Sequence, residues 1–99
     1  MGDRANIVLQ QEDGSRVWLY THSRGSIVPQ VVQVALQKAR MRWDDPSYVG
    51  RVVFQTLIGH DTSIFGFGLS TRIQDNDGYA VMVLDLSKQT VMFETEPGD

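Results

Sequence analysis

The amino-acid sequence predicts an α+β fold: a ββααβββ two-layer sandwich, with an antiparallel-rich sheet of about five strands and two helices on one face. Three observations lead there. Short apolar, β-branched runs occupy both ends of the chain. Apolar residues at helical spacing fill its middle. Tight-turn residues separate neighbouring strand-like runs, and hairpin links favour antiparallel pairing beneath a helical layer.

The first two runs, "ANIVLQQ" and "RVWLYTH", flank "EDGS". Gly14 accepts positive φ without steric cost, so Asp13-Gly14 marks a hairpin turn. In the second run Val17, Leu19 and Thr21 share one face, and Trp18, Tyr20 and His22 share the other. That second face is either another packing layer or an aromatic platform. From Ser26 to Trp43 the period becomes helical: Val28, Val31, Val32, Ala35, Leu36 and Ala39 form a stripe, with glutamines, Lys38, Arg40 and Arg42 opposite. Ser26 is the expected N-cap, which puts Pro29 in the first turn, the one place a helix tolerates it. Asp45-Pro46 reads as N-cap and first residue of a second helix, and Gly59 as its stop. "GFGLSTRIQ", "YAVMVLDL" and "TVMFET" are three further strands, with "DNDG" and "SKQ" as hairpin-like turns between them. The helix pair between the second and third strands also leaves room for those two to be parallel neighbours.

A chain of 99 residues makes one domain, spanning 1–99 with frayed ends at 1–4 and 96–99. It is 41% hydrophobic and 21% charged, globular values. A domain this size buries roughly 60–65% of its unfolded surface, so its core is thin. The formal charge of −3 argues against a protein that grips a phosphate backbone. The absence of cysteine removes disulfides, thiolate metal sites and cysteine nucleophiles, and it favours the cytoplasm. No apolar run reaches the roughly 20 residues a membrane helix needs.

Chemistry-bearing motifs are incomplete. "GFGLST" has Thr71 where a dinucleotide loop needs its third glycine, and a strand comes next instead of a helix. "DNDGYAVMVLDL" places hydrophobic residues where a calcium loop needs ligands. His22 and His60 are far apart in sequence, and a zinc site with Asp61 would need them to converge in space. No G-x-S-x-G elbow occurs. No metal, cofactor or catalytic residue is therefore assigned. The loop between the second strand and the first helix carries His22, Arg24 and Ser26, types that hold an anion at a helix N-terminus. Trp18, Tyr20, Arg40, Arg42 and Trp43 are aromatic and arginine residues of the kind enriched at protein interfaces. The corner "ARMRWDDPSY" joins three of them to Asp44 and Asp45, as either an Arg–Asp capping cluster or an interaction surface. Most of Phe54, Phe65, Phe67 and Phe93 are expected in the core.

"MGDRAN", "EDGSRVWLYTH", "RWDDPSYVGRVVF" and "GFGLSTRIQDND" together resemble a group of small hypothetical proteins of bacteria and their phages. The resemblance spans nearly the whole chain and carries no activity with it. It implies a tryptophan after "YTH", where this chain has Ser23. It also implies a phage-related setting, in which a small acidic protein acts by inhibiting a host protein.

The leading expectation is a non-catalytic interaction domain that binds another protein through Trp18, Tyr20, Arg40, Arg42 and Trp43. The alternative is a binder of small anionic ligands or nucleotides at His22, Arg24 and Ser26. A minimal hydrolase using His22 is the third reading. An edge strand such as "TVMFET" is suited to join two copies as a homodimer.

Overall fold

The computed structural model describes residues 3–61 and 63–95. Strands β1 (Ala5–Gln10) and β2 (Arg16–Thr21) form the expected hairpin, with Ile7 opposite Leu19 and Val8 opposite Trp18. Its turn is set by local chemistry. Gly14 adopts φ +86°, and the Asp13 carboxylate accepts bonds from the Ser15 amide (2.9 Å) and hydroxyl (2.7 Å).

One turn of 3₁₀ helix (Gly25–Ile27) leads into helix α1 (Val28–Lys38). The helix starts one residue later than an N-cap at Ser26 would have it. The Ser26 amide and hydroxyl both donate to the Asp3 carboxylate instead (3.1 and 2.8 Å). Pro29 still lies in the first turn, where its missing N–H costs nothing. α1 also stops well before Trp43; a second 3₁₀ turn (Arg40–Arg42) breaks the direction. The Trp43 indole N–H then donates to the Leu36 carbonyl (2.9 Å), one of the orphan acceptors at the helix end. Helix α2 (Pro46–Ile58) begins after Asp45 and ends at Gly59, φ +68°, as expected. The Asp45 carboxylate accepts from the Ser47 hydroxyl (2.9 Å) rather than from a helix amide.

Strands β3 (Phe67–Ser70), β4 (Val81–Asp85) and β5 (Thr90–Glu94) complete a five-stranded sheet in the order β3-β2-β1-β4-β5. β1 and β4 are parallel; the other neighbours are antiparallel. β2 and β3 are neighbours, but not parallel ones. The chain leaves β2 at Thr21 and enters β3 at Phe67, and these two residues face each other across the ladder. Two consecutive helices carry the chain out and back, so the next strand must run against the one it left. The expected hairpin at residues 75–78 is also overturned, because β2 and β1 lie between β3 and β4. Residues 71–80 form a crossover instead.

The helices cover one face, where Ile7, Leu9, Leu19, Met82 and Leu84 pack under Val32, Ala35, Val53 and Leu57. On the other face Val8, Trp18, Val81 and Val83 form a second buried cluster with Ile73 of the crossover over it. Asn6, 1% exposed, clamps that crossover: its amide donates to the carbonyls of Gln74 and Asp75 and to the Asn76 side chain (each 3.2 Å), and its side-chain oxygen accepts the Gln74 N–H (3.1 Å). Arg16 and Glu94 meet in a bidentate ion pair (2.9 and 2.7 Å) although β1 and β4 separate their strands, which requires the sheet to curl over this cluster.

The expected fraying at 1–4 holds neither for Asp3 nor for Arg4, whose guanidinium pairs with Asp77 (2.9 Å). Residues 1–2 and 96–99 lie outside the described residues. Among the described residues no helix is long and apolar enough to cross a membrane.

Candidate interaction surface

The anion loop is built much as its residue types suggest, but the protein supplies its own anion. Asp3 comes back from the chain start to take both Ser26 donors, and its backbone carbonyl accepts the Gly25 N–H (2.7 Å). The Tyr79 hydroxyl also donates to the Asp3 carboxylate. That bond, then those from Ser26, holds the Asp3 carboxyl below the usual carboxylate range, and the bond to Asp3 pushes the Tyr79 phenol up. Arg24 turns away: its guanidinium lies 5.7 Å from the centre of the Phe67 ring and packs beside Gly59. His22 shares a hydrogen bond with the Tyr20 hydroxyl (3.0 Å). His22, Arg24 and Ser26 therefore point at three different partners and do not converge on one ligand.

Among the described residues no group of three or more His, Asp or Glu side chains is placed to hold a metal ion. A broad concavity of about 470 Å³ lies beside Arg4 and residues 73–76. Its polar groups are bonded to one another, through Arg4 with Asp75 and Asp77 and through Asn6 with Asn76.

The aromatic residues fare differently from one another. Trp18 is 7% exposed, so it is no part of a free surface; the crossover expected as a hairpin covers it. Tyr20 is half-buried and His22 exposed, near the β3 edge. At the corner, Arg40, Arg42 and Trp43 are all exposed. The Arg42 guanidinium lies over the Tyr48 ring at 4.5 Å, and among the described residues it forms no ion pair with Asp44 or Asp45. The Arg–Asp capping cluster is not formed. Trp43 instead lines an apolar hollow of about 100 Å³ with Leu36, Val49, Leu84 and Val91, and its carbonyl accepts from the Gln89 amide (3.2 Å). The corner is thus continuous with strand β5.

The sheet's two open edges hold the exposed apolar residues that motifs alone do not reveal. On β5, Val91, Met92 and Phe93 are all exposed, Phe93 at 62%. Phe93 borders a second apolar hollow of about 120 Å³, with Val28, Pro29, Tyr79 and Met82. Near β3 the exposed residues are Ile64 (90%), Phe65 (74%) and Leu69 (61%). Of the four phenylalanines expected inside, Phe54 and Phe67 are half-buried, and Phe65 and Phe93 are outside because each belongs to a sheet margin with no neighbour.

Comparison with protein-family models, with curated proteins and with solved structures finds no match to this chain.

Proposed function

We propose that the protein is a non-catalytic interaction domain that binds another protein through the apolar margins of its sheet. The observation that carries this reading is the segregation of exposed large apolar side chains. Ile64, Phe65 and Leu69 flank one open edge; Trp43, Val91, Met92 and Phe93 flank the other. Contiguous apolar patches of this kind mark binding surfaces on soluble chains, and aromatic, Met and Arg residues are the types that anchor interfaces. Arg40 and Arg42 extend the patch at Trp43; Tyr20 and His22 extend the one at β3. Trp18 is withdrawn from the surface by its burial.

The lack of cysteine supports a cytoplasmic setting. The resemblance to small bacterial and phage proteins supports a host protein as the partner and inhibition as the effect. The anionic-ligand reading loses support because Asp3 already occupies the donors of Ser26.

The test compares Phe65→Ser/Leu69→Ser with Arg42→Ala/Trp43→Ala in quantitative binding to a partner captured by the wild-type chain. At least one pair is expected to abolish capture while the thermal melt stays within a few degrees of wild type. Undiminished binding by both pairs would remove the reading.

A further inference from the structure

We infer that the occupant of the β5 edge is β5 of a second copy, paired antiparallel about a two-fold axis at Met92. This rests on the reading of the protein as an interaction domain and names the partner for one of its two margins.

Edge strands that stay single are protected by an inward charge, a proline or a bulge. The centre of β5, Val91-Met92-Phe93, has none of these, and among the described residues no strand pairs with its outer side. Charge says what covers it. Lys88, exposed in the turn before β5, makes one end of the strand cationic; Glu94 at the other end is neutralised by Arg16, and the acidic residues that follow it in the sequence, Glu96 and Asp99, make that end anionic. A second β5 running antiparallel brings the Lys88 end of each copy to the acidic end of the other; a parallel copy sets like against like.

The faces set the register. Val91 and Phe93 lie opposite Leu84 and Met82, on the helix side of the sheet, whereas Met92 lies opposite Val83, on the other side. With the axis at Met92, Val91 of each copy faces Phe93 of the other, and the two Met92 side chains meet. Each incoming Phe93 then arrives beside Val91 at the hollow of about 100 Å³ that Trp43 lines. Each incoming Val91 arrives beside Phe93 at the hollow of about 120 Å³. The pairing fills both hollows and continues the sheet through ten strands, twice the five of one copy.

The full chain contains no cysteine, so single introduced cysteines report the register directly. Residues facing each other across an antiparallel pair have Cα atoms about 4.5–5.5 Å apart, within disulfide reach. Light scattering on the wild type is expected to give twice the single-copy mass of 11.1 kDa, and Met92→Lys, which sets two cations on the axis, the single mass. On oxidation, Met92→Cys is expected to form a disulfide dimer. Val91→Cys and Phe93→Cys are expected to cross-link when mixed, and Val91→Cys alone is not. The cross-links keep the test informative if Met92→Lys unfolds, which circular dichroism would show. A wild type of single mass whose Met92→Cys variant stays uncross-linked overturns the inference. So does a dimer that cross-links through Leu69→Cys on β3 but not through Met92→Cys. Neither result touches the broader reading, which fails only if the Phe65/Leu69 and Arg42/Trp43 variants both keep their foreign partner.

Discussion

The two open edges of the sheet are unequal. β5 has five residues and no glycine; it leans on β4, every residue of which is buried. Arg16 and Glu94 further tie it across the sheet to β2. β3 has four residues, one of them Gly68, and its apolar exposure lies largely in the turn before it, at Ile64 and Phe65. The crossover leaving β3 is fastened by its bonds to Asn6 and Arg4, at the start of β1. A longer edge without glycine, tied to the rest of the sheet, offers its backbone, and strand addition is the binding mode it suits. A short edge with a projecting loop offers side chains, which suits insertion into a partner's pocket.

This contrast can be broken at its strongest point first. Asn6→Ala removes the clamp on the crossover and leaves the Gln74 and Asp75 carbonyls without their side-chain donor. A loss of about 2–3 kcal/mol is expected, read by denaturant unfolding, with hydrogen exchange accelerating in β3 more than in β5. Next is Gly25→Ala. A Cβ there would sit 2.7 Å from both the Asp3 carbonyl and the Tyr79 ring, so a loss of about 2 kcal/mol is expected. A melt equal to wild type would mean that the chain start is not packed against this loop.

The Arg16–Glu94 tie gives a smaller, pH-dependent effect. Arg16 holds the Glu94 carboxyl below the ordinary glutamate value through its hydrogen bonds and charge. A carboxyl lowered in the native state adds stability that is present above its unfolded pKa and lost as pH falls through the native one. Glu94→Gln should therefore cost less than about 1 kcal/mol at neutral pH, since the side chain is 36% exposed and screened. The difference from wild type should vanish on acidification, and melting curves against pH measure this. Smallest is Gly68→Ala, in which the new Cβ meets only Tyr20, at an ordinary 3.9 Å. A gain of about 0.5 kcal/mol is expected, bringing β3 closer to β5; a lower melting temperature would show that Gly68 is needed for its backbone.

Much of the fold was legible because it is local. Asp13-Gly14, Asp45-Pro46 and Gly59 each act through their own backbone or a residue two or three positions away, and each sits where its chemistry put it. The apolar stripe of α1 and the five strand runs are periodic signals of the same kind. The Arg40–Trp43 corner could be identified from residue types, but not its continuity with β5, because Gln89 and Val91 reach Trp43 from more than forty positions away. The helix start failed for the same reason: Ser26 is a good capping residue, but Asp3 competes for it from 23 positions away.

The sequence by itself determined the fold class, the element order, the hairpins at both ends of the chain and the absence of cysteine chemistry. Those rest on side-chain size, periodicity and turn residues, which act over a few positions. Only the tertiary structure decided that β4 enters beside β1 in parallel, that residues 71–80 cross the sheet and bury Trp18, and that Val91, Met92 and Phe93 are exposed at its margin. Strand order depends on which long-range burial leaves the least exposed apolar surface for the whole chain, and no local window of residues contains that comparison.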